Sequence, residues 1–155
     1  SLRALPGSSP LDMIVRCLRL HDHAVLPTQA YPGDAGFDLC SVERVELAPH
    51  GRALVACGFA IELPDEACAL VLPRSGLAAR HGVTCLNAPG LIDSGYRGEI
   101  TVCLHNTDPT EPFIVEPGMR IAQLLVTQLA AVRFESSNAL SASERGSGGF
   151  GSSGL

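Results

Sequence analysis

Residues 99–105 read EITVCLH, and the spacing of Ile100, Val102 and Leu104 decides the fold class. Successive side chains of a strand point to opposite faces, so a period of two gives one apolar face and one mixed face. The same period runs through Ile14, Arg16, Leu18 and Leu20. Outward from these, short apolar stretches recur at 13–20, 53–61, 67–72, 83–86, 99–105, 113–115, 121–129 and 131–134, separated by Gly, Pro and Asp turns. Val and Ile are frequent, and no long 3.6-residue pattern competes. The expectation is an all-β sandwich or barrel of many short strands. SGLAARHG (75–82) is the exception: Ser75 suits an N-cap, Leu77 to Arg80 favour helix, and Gly82 supplies a stop, so one short helix is expected there.

A chain of 155 residues fits one domain with a real core. No apolar run approaches the roughly 18 residues that span a bilayer, so no membrane association is expected. SLRALPGSSP at the start has no signal-peptide apolar centre; residues 1–12 are expected to be a trimmed leader or an expression remnant, and the location cytoplasmic. A net charge of −5 argues against a general nucleic-acid binder. All 11 basic residues are Arg, so any bound anion meets planar, bidentate forks. The six cysteines (17, 40, 57, 68, 85, 103) show no metal-ligand rhythm. All but Cys40 sit in apolar runs, which predicts buried, reduced thiols in a reducing compartment.

Five stretches combine glycine with polar residues beyond the needs of turns. In DAGFDL (34–39), Asp34 or Asp38 can cap a strand-entry turn, or Asp38 can hold a metal ion or its waters. In PRSGLA (73–78), Arg74, Ser75 and Gly76 make either a routine helix start beside a surface Arg or a phosphate seat. In NAPGLIDSGYRGEI (87–100), Asp93 reads as a carboxylate satisfying turn amides or as a buried, oriented general base. Tyr96 offers a flat face to a sugar or base on the same loop. PGMRIAQLL (117–125) is a turn into a strand on which Arg120 and Gln123 can simply be edge residues facing water.

The fifth stretch, RGSGGFGSSG (145–154), holds five glycines and three serines, the composition of a flexible linker. It also carries a guanidinium at Arg145, an aromatic plate at Phe150 and hydroxyls at Ser152 and Ser153. Such a chain can fold over a phosphorylated, ring-bearing ligand at a cost in ordering entropy.

Taken in order from about residue 13 to 154, these five stretches resemble the five motifs of the homotrimeric dUTPases (deoxyuridine triphosphate nucleotidohydrolases). The resemblance implies a jelly-roll-like, distorted β-barrel of the β-clip type over 13–135, with one short helix. It also implies a homotrimer with active sites shared between subunits, and a flexible C-terminal arm over 136–155 that closes on the site. Members hydrolyse dUTP to dUMP and pyrophosphate with Mg²⁺. By resemblance, Asp93 activates the attacking water, and Tyr96 packs on deoxyribose and excludes a 2′-hydroxyl. Asn87, with the backbone of Gly90, Leu91 and Ile92, reads uracil, and Thr101 adds a backbone contact. Arg74, Ser75 and Gly76 form the phosphate seat of a neighbouring subunit, and Gln123 joins the phosphate side. Asp38 holds waters on the Mg²⁺. In the arm, Arg145 clamps the γ-phosphate, Phe150 stacks on uracil, and Gly151, Ser152 and Ser153 hold the β- and γ-phosphates.

Two other readings stay open at this level. One is a dCTP deaminase or bifunctional deaminase–diphosphatase on the same fold, against which the complete arm and the YRGE after Asp93 weigh. The other is a nucleotide-dependent regulatory module with a protein partner, against which an intact Asp93 weighs.

Overall fold

The computed structural model describes residues 12–154. The expectation of a leader over residues 1–12 therefore lies outside the described residues, apart from Asp12. Ten strands and one helix follow in order: β1 (Arg16–Arg19), β2 (Phe37–Cys40), β3 (Val45–Leu47), β4 (Arg52–Glu62), β5 (Ala67–Leu72), α1 (Ser75–His81), β6 (Val83–Cys85), β7 (Gly90–Ile92), β8 (Glu99–Asn106), β9 (Phe113–Val115) and β10 (Arg120–Gln128). They form antiparallel sheets ordered β1-β4-β8-β6, β2-β10-β5-β7 and β3-β9. The all-β class with one short helix is thus as the sequence predicts.

Strand β8 shows why the alternation is decisive. Ile100, Val102, Leu104 and Asn106 are buried, while the residues between them are half-buried or exposed. Ile100, Val102 and Leu104 share one apolar cluster with Val55, Phe59 and Ile61 of β4, Leu39 of β2, Val71 of β5 and Ile121 and Leu124 of β10. The inner faces of the two four-stranded sheets therefore close one core. Phe59 is fully buried, and its loss would cost about 3–5 kcal/mol in transfer and cavity terms.

The register of β4 against β8 breaks between Ala56 and Ala60. Gly58 sits in this bulge at φ 77°, where an added Cβ would also come within 2.6 Å of Val42. Only glycine meets both demands. Its amide donates to Glu99 Oε1 at 3.0 Å, which ties the bulge to the start of β8 and so to the loop that carries Asp93 and Tyr96.

Three expectations need correction. Ser75 is the first helical residue, not the cap: Arg74 takes the cap position with extended backbone and no side-chain cap bond. The stop is as expected, with Gly82 left-handed at φ 64° and its amide donated to the carbonyls of Ala78 and Leu77. Residues 131–134 form no strand, because β10 already has β2 on one side and β5 on the other. Val132 and Phe134 are left exposed. Finally, Cys17 is exposed and Cys103 half-buried, since β1 is an edge strand and Cys103 faces away from the core side of β8.

Candidate active site

Strand β7 pairs with β5, with Gly90 opposite Val71 and Ile92 opposite Ala69, while β6 pairs with β8 in the other sheet. The segment 86–92 therefore crosses between sheets, and the flanking strands β6 and β7 are not paired with each other as a simple hairpin would require. Gly90 is buried where a Cβ would stand 3.2 Å from Val71 Cβ and 3.3 Å from Asn87 Nδ2. Its missing side chain lets Asn87 lie back over the strand.

This crossing and the loop after it wall a cleft of about 180 Å³. Asn87, Gly90, Leu91, Ile92, Asp93, Tyr96 and Thr101 all line it. Val71 and Ile100 add apolar floor, and Glu99 and Cys103 are lining residues that the sequence did not single out. Asp93 is exposed in the chain, not buried as the general-base reading expected. Its carbonyl accepts the Tyr96 amide at 3.1 Å, closing the turn. The Tyr96 hydroxyl donates to the Glu99 carbonyl at 2.9 Å, which turns the ring back along its own loop.

A second group assembles along the β5–β10–β2 ladder, one register step beyond the Val71–Gly90 pair. Gln123 of β10 is register partner to both Asp38 of β2 and Leu72 of β5. Its Nε2 donates to the Pro73 carbonyl at 3.0 Å, which seats Arg74, Ser75 and Gly76 beside it. Gly36 leaves room for the amide: a Cβ there would meet Gln123 Oε1 at 2.5 Å. Asp38 faces two guanidinium groups, Arg74 Nε at 3.8 Å and Arg120 Nη1 at 3.6 Å. Arg74 Nη1 also donates to the Arg120 carbonyl at 3.2 Å.

Arg120 is the residue that sequence reasoning passed over as an edge position. Residues three apart on a regular strand face opposite ways, so Arg120 and Gln123 should not meet. A register shift between Arg120 and Ala122 changes that parity, and both reach the surroundings of Asp38. Nearby Cys40 is buried, and burial and then the Asp38 carboxylate push its thiol pKa up.

None of Asp38, Arg74, Ser75, Gly76 or Gln123 lines the cleft around Asp93. The arm residues also stand apart. Glu144, Arg145, Gly148, Ser152 and Ser153 share a shallow hollow of their own, with Arg145 Nε donating to the Gly148 carbonyl at 2.8 Å. Phe150 is fully exposed at φ 51°, and Gly151 follows at φ 85°. The chain thus brings the predicted residues together in three groups: the cleft, the arginine–carboxylate seat and the arm.

Comparison with known proteins bears on these groups as a set. A sequence model of the dUTPase family matches residues 22–154. A deoxyuridine 5′-triphosphate nucleotidohydrolase of Thermobifida fusca is 54% identical over 140 residues, covering 90% of this chain and 78% of its own length. The solved dUTPase of Staphylococcus bacteriophage 80alpha with dUPNHPP superposes with a TM-score of 0.85 at 27% identity, covering 92% of this chain and 99% of that one. A dUTPase of S. aureus phage phi11, described with a structural Mg(II) ion, shares the fold at 20% identity and a TM-score of 0.76, over 81% and 97% of the two chains. The family match spans the cleft, the seat and the arm alike. The chain belongs to the dUTPase family.

Proposed function

We propose that this chain hydrolyses dUTP to dUMP and pyrophosphate, removing dUTP and supplying dUMP for dTMP synthesis. The observation that carries the reading is the cleft around Asp93. It holds one carboxylate, one aromatic plate and a backbone edge at Gly90–Ile92 within a single small concavity. In-line displacement at phosphorus needs positioning and charge neutralisation rather than covalent help. Asp93 takes the proton of a water aimed at the α-phosphorus. The backbone of Gly90, Leu91 and Ile92, with Asn87, presents hydrogen-bonding groups to uracil, and the closeness of the walls rejects an added 5-methyl group by clash. Tyr96 packs against the deoxyribose where a 2′-hydroxyl would stand, and Thr101 adds a backbone contact.

The triphosphate is taken by Arg74, Ser75, Gly76 and Gln123, and by Arg145, Gly151, Ser152 and Ser153 of the arm, with Phe150 over the base. That the seat does not line the cleft of its own chain supports a complete site assembled from copies, as a homotrimer. The exposed apolar side chains Ile14, Leu18, Leu54 and Phe134 support contact between copies.

Among the described residues no three His, Cys, Asp or Glu side chains gather into a set able to hold an ion. Asp38 is a single carboxylate facing two guanidinium groups. That donor set fits a Mg²⁺ ligated by phosphate oxygens and water, with Asp38 accepting hydrogen bonds from the waters. When bound, Mg²⁺ supplies neutralisation of the triphosphate charge. The test is hydrolysis of dUTP in ¹⁸O-labelled water: label in dUMP and none in pyrophosphate supports attack at the α-phosphorus, and label in pyrophosphate or in free phosphate contradicts it.

A further inference from the structure

The tetrapeptide Tyr96-Arg97-Gly98-Glu99 forms a seat for its own first side chain. The Tyr96 hydroxyl is held by the Glu99 carbonyl at 2.9 Å, so the ring folds back across Gly98. A Cβ added at Gly98 would stand 2.6 Å from Tyr96 Cζ and 3.0 Å from Cε2, and would meet the hydroxyl oxygen as well. Real Cβ atoms do not approach other heavy atoms so closely. The ring can therefore occupy this place only because residue 98 has no side chain.

The backbone beneath the ring is fixed independently. Arg97 Nη1 donates to the carbonyls of Ser94 at 2.6 Å and Tyr96 at 3.0 Å, and Nη2 reaches Glu62 at 3.4 Å. With the loop pinned to β4, a group pushed against the ring moves the ring and not the loop. Gly98 is not among the glycines of positive φ, so alanine is compatible with its backbone. Tyr96 is 44% exposed, so the displaced ring has solvent to move into. An alanine at 98 thus threatens the position of one aromatic plate and little else.

We propose that Gly98 is a specificity-determining positioning residue: its bare Cα sets the place of the Tyr96 ring and through it the preference for a 2′-deoxy sugar. This rests on the reading of Tyr96 as the surface against deoxyribose. Misplacing a contacting group by about 1 Å can cost up to about 100-fold, so a lost ring position is large enough to read in a selectivity ratio.

The experiment compares kcat/KM for dUTP and UTP in the wild type, Gly98→Ala, Gly95→Ala, Tyr96→Ala and Tyr96→Ala/Gly98→Ala. Gly95 is on the same loop, but a Cβ there meets nothing within 4 Å, so it controls for loss of glycine alone. The expected result is a dUTP:UTP ratio lowered about tenfold or more in Gly98→Ala and unchanged in Gly95→Ala, with no further fall from Gly98→Ala once the ring is gone. An unchanged ratio in Gly98→Ala would overturn the proposal. So would an equal fall in Gly95→Ala, or an equal further fall in the Tyr96→Ala background. If Gly98→Ala alone does not fold, the double variant, freed of the overlap, folds; failure of both would also overturn it. A wild type that does not prefer dUTP to UTP would instead sink the underlying reading of Tyr96.

Discussion

Arg120 Nη1 lies 3.6 Å from Asp38 Oδ2, across the β10–β2 pair. The Arg120 side chain is 53% exposed, so the pair is worth no more than about 1 kcal/mol to the fold. Arg120 also stands at the proposed phosphate seat, its carbonyl accepting from Arg74 Nη1. We expect its guanidinium to take a phosphate oxygen as well, a charge-assisted bond worth more, roughly 1.5–3 kcal/mol. Arg120→Gln should therefore leave thermal stability nearly unchanged while raising KM for dUTP about tenfold or more. Melting curves beside steady-state kinetics check this; a large loss of stability with unchanged KM would make the arginine purely structural.

Asp93→Asn keeps the shape of the turn, because the contact that closes it is the residue 93 carbonyl and not the side chain. Turnover should drop by about 100- to 10,000-fold, the usual worth of a general base, with dUTP still bound. Calorimetric titration of the variant beside its rate checks both halves. Near-normal turnover would remove Asp93 from the chemistry.

Truncation after Ser143 should leave a folded trimer with collapsed activity. The backbone hydrogen bonds of 145–154 close within the arm or on Ser143, and none of its residues belongs to the core. Size-exclusion chromatography and a dUTP assay on the same sample test the point. Full rate in the truncated chain would contradict the arm model.

Burial pushes the Cys57 thiol up to about 12 and the Cys85 thiol up to about 11, from an ordinary 9.0. Above pH 9 the unfolded chain releases these protons while the folded chain keeps them. Stability from this source is therefore fully present below pH 9 and is lost as pH rises through about 11 and then about 12. Each thiol steepens the decline by about 1.4 kcal/mol per pH unit within its window. Urea melts between pH 8 and 11 should show this slope, and Cys57→Ala should flatten it.

Much of the fold was legible because burial on a sheet leaves a period of two in the residues. The stretches 67–72 and 113–115 coincide with β5 and β9 to the residue. What was not legible depended on partners distant in sequence. The apolar run 131–134 has the composition of a strand, but its place in a sheet depends on a free edge, and β10 offers none. The cleft residues could be picked out because six of the seven fall on one continuous stretch, 87–96, that the fold keeps together. Arg120 was hidden because a bulge, invisible in sequence, reverses the side on which it emerges. Gly98 was hidden because its role lies in what its neighbour's ring covers.

The most direct measurement is pyrophosphate release from dUTP, dTTP, dCTP and UTP, each with and without Mg²⁺, with ammonia assayed in the dCTP reaction. The account predicts rapid, Mg²⁺-dependent release from dUTP, little from the other three, and no ammonia. Ammonia from dCTP, or equal rates on dUTP and dTTP, would contradict it.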